Sequence, residues 1–209
     1  MIVSDKKSEI ELFHEITSHL LQDEKPSCYM NTLIRDAQYH YYPFILLWKL
    51  KDTEQSPVYH PEGSAWNHTM LVLDEAAAVR GRSNDTTAFM WAALLHDLGK
   101  PATTRTRKGK TTSYDHDREG EKLSIDFLSF FLEDQDFIYR VAALVRYHMH
   151  MLYILKKLPY GDKKGLLKSV DKNDLALLCR CDRLGRAGVD IAAVNTEYDE
   201  FRRILEKPD

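Results

Sequence analysis

Leu94-Leu95-His96-Asp97-Leu98-Gly99-Lys100 is the segment from which the fold of this chain is predicted. An imidazole and a carboxylate stand side by side here, at the end of an apolar run and directly before the helix-ending residues Gly99 and Pro101. Other histidines and aspartates that could join them lie far apart along the chain, at His68, His116, His148 and Asp182. Imidazole and carboxylate groups in combination are typical ligands of a divalent transition metal. The sequence therefore indicates a metal site built from distant segments.

Length and composition are those of an ordinary globular protein. With 209 residues, 44% hydrophobic and 29% charged, the chain can form one well-buried domain and fits neither a disordered nor a membrane protein. The 29 basic and 32 acidic residues give a net charge of −3, which argues against a broad, sequence-independent grip on nucleic acid.

The cysteines and the N-terminus indicate a cytoplasmic protein. Cys179 and Cys181 are too close together for an easy disulfide within a helix, and Cys28 leaves the count odd. Residues 1–9 lack the apolar stretch of a secretory signal, and no run approaches the roughly 18 apolar residues of a membrane span. We expect no contact with a membrane.

Apolar residues recur with a helical period along most of the chain, so we predict an all-α fold. The predicted helices cover residues 8–21, 28–50, 65–79, 84–98, 117–132, 135–149, 162–169, 172–185 and 195–206. Turn formers over 51–63 predict a loop, which divides the chain into an N-terminal helical extension (1–57) and a main domain (58–209). The Thr-rich segment 103–114, with its central Lys-Gly-Lys, predicts a short hairpin or a loop.

Helical projection places four of the polar groups on apolar faces of four different helices, namely His68, His96, His148 and Asp182. Burying an unpaired carboxylate costs several kcal/mol, so Asp182 needs a cation, a metal or hydrogen-bond donors. One shared metal would satisfy all four groups. Mixed imidazole and carboxylate ligands suit Mn, Fe, Co, Ni or Zn better than Ca. His150 is two residues from His148 and cannot share its face, so we favour His148.

Two other interpretations need no metal. In the first, Asp97 and Lys100 form a salt bridge at the helix end while His96 packs in the core. In the second, the histidines are held in structural hydrogen bonds, and a direct bond between His68 and Asp182 would favour that interpretation.

Five blocks of sequence resemble a known family. The blocks are His60-Pro61-Glu62-Gly63-Ser64-Ala65-Trp66-Asn67-His68-Thr69, His96-Asp97-Leu98-Gly99-Lys100-Pro101-Ala102-Thr103-Thr104, Tyr114-Asp115-His116-Asp117, Leu144-Val145-Arg146-Tyr147-His148-Met149 and Asp182-Arg183-Leu184-Gly185-Arg186. Over about residues 58–187 the chain resembles the HD superfamily of metal-dependent phosphohydrolases. It is most similar to the HD domain on the C-terminal side of bacterial CCA-adding tRNA nucleotidyltransferases. The nucleotidyltransferase head of those enzymes has no counterpart in these 209 residues, so we do not expect nucleotide addition.

The resemblance implies a ligand set and a reaction. His68, His96, Asp97 and Asp182 would hold a divalent metal, while His116 and His148 would either complete a second metal position or face the phosphate. The implied activity is that of a phosphatase or phosphodiesterase acting on 2′,3′-cyclic phosphates or nucleotides. The residues expected to act in catalysis are Asp97, Lys100, His116, His148 and Arg186.

Some of these residues have specific expected roles. Lys100 and Arg186 are expected to clamp the phosphate, because cations stabilise charge on its oxygens. Asp97 is expected both to bind metal and to orient or deprotonate the attacking water.

The predicted hairpin segment contains a strip of basic residues. Arg105, Arg107, Lys108 and Lys110 form the strip, which could steer an anionic substrate or contact an RNA backbone, or else be a solvated loop. The alternative function is a nucleotide- or RNA-binding module whose HD pocket does not catalyse. The sequence predicts no oligomeric state.

Overall fold

The computed structural model describes residues 7–37 and 40–207. Residues 1–6, most of the segment 1–9 considered above for a secretory signal, lie outside the described residues. Within them the fold is helical except for one small hairpin, which confirms the all-α prediction. The helices are α1 (Glu9–Gln22), α2 (Pro26–Leu33), α3 (Ile45–Trp48), α4 (Ala65–Val79), α5 (Thr86–Leu95), α6 (Lys100–Thr103), α7 (His116–Ser129), α8 (Gln135–Tyr147), α9 (His150–Leu155), α10 (Lys163–Ser169), α11 (Lys172–Leu184) and α12 (Ile191–Glu206). Between α6 and α7, β1 (Thr104–Arg107) and β2 (Lys110–Ser113) form the predicted hairpin.

Helix α5 is the centre of the bundle. From Ala88 to Leu95 none of its side chains is more than 1% exposed, so it is apolar on all sides. It packs against α1, α4, α8 and α11. Asp85 caps its N-terminus by accepting a hydrogen bond from the backbone N–H of Ala88. Because α5 runs through the core, its C-terminal end places His96 and Asp97 inside the protein.

The N-terminal helices share this core. The ring of Phe13 in α1 stacks on Trp91 in α5 with a centroid distance of 4.7 Å. From α2, Asn31 Oδ1 accepts a hydrogen bond from Trp66 Nε1 at 2.8 Å, and Ser27 Oγ donates to Asp74 at 2.7 Å. The boundary at residue 57 stays a prediction.

The predicted helix over 28–50 is wrong. The structure has α2 and α3 instead, followed by a short 3-10 helix at Lys49–Asp52. Pro43 explains the break, because it has no N–H for a helical hydrogen bond and disfavours the helical conformation of the residue before it.

Other helix bounds differ by smaller amounts. Helix α5 ends at Leu95 and not at residue 98, and the chain closes there in a tight turn with Leu98 N donating to Leu95 O at 2.9 Å. Helix α12 begins at Ile191 and not at 195, because Asp190 accepts hydrogen bonds from the first backbone N–H groups. Helix α9 was not predicted.

Gly99 allows α7 to approach the end of α5. A Cβ at this position would lie 2.1 Å from the carbonyl oxygen of His116 and 2.6 Å from the backbone nitrogen of Gly120. Both neighbours are backbone atoms and cannot rotate away. Gly99 is therefore needed for the contact that places His116 beside Asp97.

We predict that Gly99→Ala lowers the free energy of unfolding by about 1–3 kcal/mol, because α7 must shift to accept the methyl group. Urea denaturation measures this. Gly81→Ala is the matched control, because a Cβ at Gly81 has no neighbour within 4 Å in the described part of the chain. Equal effects of the two substitutions would contradict the close approach.

Candidate metal centre

The structure brings all six predicted ligands together. They come from α4, from the turn after α5, from the start of α7, from the residue directly after α8, and from α11. All of them are buried, with at most 6% of any residue exposed: His68, His96, Asp97, His116, His148 and Asp182. Sequence segments more than 100 residues apart thus form one polar cluster inside an apolar bundle.

The six residues form two groups of possible ligands, with the donor atoms of each group within 4.8 Å of one another. The first group is His68, His96 and Asp182, and the second is Asp97, His116 and His148. Asp97 lies between them, since Oδ2 is 3.3 Å from His96 Nε2 and Oδ1 is 3.7 Å from His116 Nε2. Asp97 would therefore be able to contribute a carboxylate oxygen to either group of ligands.

Three of the imidazoles are held in the same way. Nδ1 of His96, His116 and His148 lies 2.9, 2.7 and 2.6 Å, respectively, from the backbone carbonyl oxygen of the residue three positions earlier. A carbonyl oxygen only accepts, so each neutral ring carries its proton on Nδ1. The lone pair of each Nε2 then points into the cluster, where a metal ligand needs it.

In the part of the chain that the structure describes, no adequate hydrogen-bond donor faces these lone pairs. Nε2 of His116 lies 3.2 Å from Nε2 of His148, so two acceptors face each other. Among the described residues, Nε2 of His96 has no hydrogen-bond partner. Two nitrogen ligands of one ion, each at about 2.0–2.1 Å from it, lie about 3.0–3.4 Å apart, which the spacing of 3.2 Å matches. The residues therefore fit a divalent metal.

Each of the two metal-free interpretations matches one contact. Lys100 Nζ is 2.7 Å from Asp97 Oδ2, and His68 Nε2 is 2.9 Å from Asp182 Oδ1. Neither contact gives a donor to His96 Nε2 or separates the facing acceptors of His116 and His148. Since buried polar groups without partners are costly, the complete cluster favours a metal.

Both aspartates are ionised at neutral pH. Burial alone would raise the pKa of Asp97, but the charge of Lys100 holds it well below its ordinary value. Burial acts in the same way on Asp182, where Arg186 and the hydrogen bond with His68 hold the pKa well below its ordinary value. The cluster thus has the two negative charges that a divalent ion would neutralise.

The imidazoles differ in their affinity for protons. Burial, together with the neighbouring His116 and His96, lowers the pKa of His148 to about 3, so this ring is a neutral ligand at neutral pH. Burial alone would lower the pKa of His68 as well, but hydrogen bonds to Asp182 and Glu62 raise it. An ion that binds Nε2 of His68 must displace the proton shared with Asp182. The affinity of the site for the ion therefore falls as the pH falls below the pKa of His68.

Glu62 supports the cluster and was missed as a site residue in the sequence. Its Oε1 lies 2.9 Å from His68 Nδ1 and 2.8 Å from His60 Nδ1, and its Oε2 accepts a hydrogen bond from the backbone nitrogen of Ala187 at 3.2 Å. A carboxylate behind a ligating histidine fixes the ring and increases its basicity. Glu62 stands in the first of the five sequence blocks, but it lies in a loop without periodicity, so only its place in that block singled it out.

Further polar contacts hold the ligands in place. Arg146 in α8 forms an ion pair with Asp117 in α7, one residue from His116 and two from His148. His150 is buried against the rings of Tyr147 and Tyr153, whereas His148 lies in the cluster.

Lys100 and Arg186 lie at the edge of the cluster, and their expected role as phosphate clamps stays a prediction. Lys100 pairs with Asp97 and also hydrogen-bonds to Gln55, while Arg186 Nη2 lies 3.2 Å from Asp182 Oδ2. Each cation thus contacts one of the two candidate carboxylate ligands.

Comparison with known proteins identifies the family. The HD domain family model matches residues 65–187, more than half of the chain, so the chain belongs to the HD domain family. Members of this family are typically metal-dependent phosphohydrolases.

The chain is also similar to several curated proteins called multifunctional CCA protein. The one from Mannheimia succiniciproducens is 27% identical over 205 residues, which cover 94% of this chain and 48% of that protein. The one from Methylococcus capsulatus is 29% identical over 81% of this chain and 40% of its own length. The chain therefore spans less than half the length of these relatives. Within residues 7–37 and 40–207, no helix has the length and apolarity needed to cross a membrane.

We predict that Glu62→Gln weakens the binding of Mn²⁺ by about 10- to 100-fold, because a neutral amide no longer supports the basicity of His68. Isothermal titration calorimetry on the wild type and the variant measures the change. Glu54→Gln, an exposed substitution in the same loop, is the control and should leave the affinity unchanged. If both variants bind like the wild type, Glu62 does not support a metal ligand.

Proposed function

We propose that this protein is a metal-dependent phosphohydrolase that cleaves phosphoesters of nucleotides, including 2′,3′-cyclic phosphates. The observation that carries the proposal is the position of Asp97 between Nε2 of His96 and Nε2 of His116. Lys100 contacts Asp97, and Arg186 contacts the neighbouring carboxylate of Asp182. This arrangement combines ligands for one or two ions with cations that can bind a phosphate.

The residues that would hold the metal are His68, His96, Asp97 and Asp182, with His116 and His148 at a second position. A bound divalent ion such as Mn, Fe, Co, Ni or Zn would supply an acidified water molecule as nucleophile and would neutralise charge on the phosphoryl oxygens.

The side chains of the protein supply the remaining steps. Lys100 and Arg186 would bind the phosphoryl oxygens, because each can exchange its present carboxylate partner for a phosphate oxygen. The ionised carboxylate of Asp97 can accept a hydrogen bond from the attacking water and orient it toward phosphorus. The apolar packing around α5 keeps these groups at fixed distances.

Membership of the HD family and similarity to multifunctional CCA proteins support a nucleotide as the substrate. The complete set of histidine and aspartate ligand atoms that face into the cluster favours hydrolysis over a pocket that binds phosphate without cleaving it. A pocket that recognises phosphate without cleaving it would need cations but would not need lone pairs directed at one another.

We predict that the wild type hydrolyses at least one of 2′,3′-cyclic AMP, the AMP isomers and dNTPs when Mn²⁺, Co²⁺ or Ni²⁺ is added, and that a chelator abolishes this turnover. His96→Ala and Asp97→Asn should each lower kcat/KM by at least about 100-fold. The first substitution removes the imidazole nitrogen that would bind the ion, and the second removes a carboxylate oxygen and its charge. Nucleotide and phosphate release and bound metal are measured together.

The control for these variants is His14→Ala, an exposed histidine in α1, which should keep both metal content and turnover. The proposal is wrong if His96→Ala and Asp97→Asn bind metal and turn over substrate as the wild type does.

A further inference from the structure

We propose that the hairpin beside the metal centre binds the backbone of a single-stranded polynucleotide whose terminal phosphate lies at the metal centre. This inference rests on the proposed function and names the substrate class: an oligonucleotide end, not a free mononucleotide. The hairpin cations would bind successive phosphates, and an exposed aromatic side chain at the base of the hairpin would stack on a base.

The register of the hairpin places its cations on one face. Arg105 pairs with Thr112, and Arg107 pairs with Lys110. Side chains opposite each other, and those two residues apart on one strand, point to the same side of a sheet. Arg105, Arg107 and Lys110 therefore share one face. The other face has only hydroxyl side chains, which bond across the strands as the pairs Thr104–Ser113 at 2.7 Å and Thr106–Thr111 at 3.0 Å.

The cationic face lacks counter-charges of its own. Arg107 and Lys110 stand directly opposite each other, and like charges at opposite positions destabilise a strand pair. Neither they nor Lys108 form an ion pair with another residue in the part of the chain that the structure describes. Lys108 adds a fourth cation at the tip, where its φ of 49° is a conformation that favours Gly or Asn. Such a face is complementary to a polyanion.

The hairpin is attached to the metal centre at both of its ends. It follows α6, which begins at Lys100, and it leads to His116, whose Nδ1 lies 2.7 Å from the carbonyl oxygen of Ser113. Each strand residue advances about 3.3 Å, so Arg107 and Lys110 are about 10 Å from the base of the hairpin. These cations are too far from the metal centre to contact a terminal phosphate bound there, so they would bind the phosphates of the following nucleotides.

Two exposed tyrosines flank the same centre and favour a single strand. Tyr114 is 66% exposed and lies two residues before His116, and Tyr59 is 66% exposed and precedes His60. Exposed aromatic side chains next to a cationic surface are typical of proteins that stack the bases of single-stranded nucleic acid. The bases of a duplex are already stacked and are not available to such rings.

The test uses two substrates with the same reacting group. One is 2′,3′-cyclic AMP, and the other is an RNA of about twelve nucleotides that ends in a 2′,3′-cyclic phosphate. The variant Arg105→Glu/Arg107→Glu/Lys110→Glu should lower kcat/KM on the RNA by at least about tenfold at 0.15 M salt, where long-range steering is screened. It should change kcat/KM on the mononucleotide by less than about twofold.

Two further variants complete the design. The variant Lys164→Glu/Lys168→Glu/Lys172→Glu carries the same change in net charge on exposed residues of α10 and α11 and should behave like the wild type. Tyr114→Ala should lower the affinity for the RNA by about fivefold or more and leave the affinity for a duplex of the same sequence unchanged.

Binding is measured separately from turnover, by fluorescence anisotropy of the labelled RNA as a function of salt. Three phosphate contacts predict that the slope of log K against log salt is about 2 units steeper for the wild type than for the hairpin variant. If neither substrate is cleaved, and no AMP isomer or dNTP is cleaved either, the proposed function fails, and the slope of log K against log salt still decides the inference. The inference is overturned if both charge-reversal variants have equal effects, or if duplex RNA or polyglutamate binds as tightly as the single strand.

Discussion

The candidate metal centre depends on three backbone carbonyl groups. Each accepts a hydrogen bond from Nδ1 of the histidine three residues later, and so it fixes both the orientation and the tautomer of His96, His116 and His148. Two of these carbonyls belong to the last turns of α5 and α8, where a helix leaves carbonyl groups without an intrahelical donor. The ends of these helices thus supply the contacts that turn each Nε2 inward.

The fold must offset the cost of this arrangement. Buried carboxylates and acceptors that face one another are unfavourable unless cations or donors neutralise them. Lys100, Arg186 and the imidazole of His68 do so in part, since each contacts Asp97 or Asp182. The apolar side chains of α5, buried on all sides, supply the opposing stabilisation. A polar site with strong mutual repulsion can persist here because a well-packed helix passes directly behind it.

Much of this architecture follows from sequence periodicity, and the exceptions have physical causes. The apolar repeat predicts α4, α8 and α11 nearly to the residue, because one face of each helix packs on the core. It fails at Pro43, which interrupts an otherwise helical pattern, and at α9, which is too short to show a period. Helix propensity and periodicity carry no information about how far a last turn tightens, so the end of α5 was placed three residues late.

The residues of the candidate site likewise include some that the sequence predicts and some that only the tertiary structure shows. His68, His96, His148 and Asp182 could be found because polar groups on apolar helix faces are conspicuous in sequence. Asp97 and His116 were singled out by the adjacent His-Asp pair and by the family resemblance. Glu62 and Gln55 lie in a loop, and their contacts with His68 and Lys100 exist only in the tertiary structure. The pairing of Asp117 with Arg146 likewise depends on how α7 packs against α8. No local pattern marks such contacts.

The most direct test of this account is anomalous diffraction at the manganese edge from crystals of the wild-type protein grown with Mn²⁺. If the cluster binds a divalent metal, we expect an anomalous peak between the Nε2 atoms of His68 and His96 and the carboxylates of Asp97 and Asp182. We expect a second peak, when two ions bind, between Asp97, His116 and His148. Ordered side chains in the present positions with no peak at either place would contradict the account.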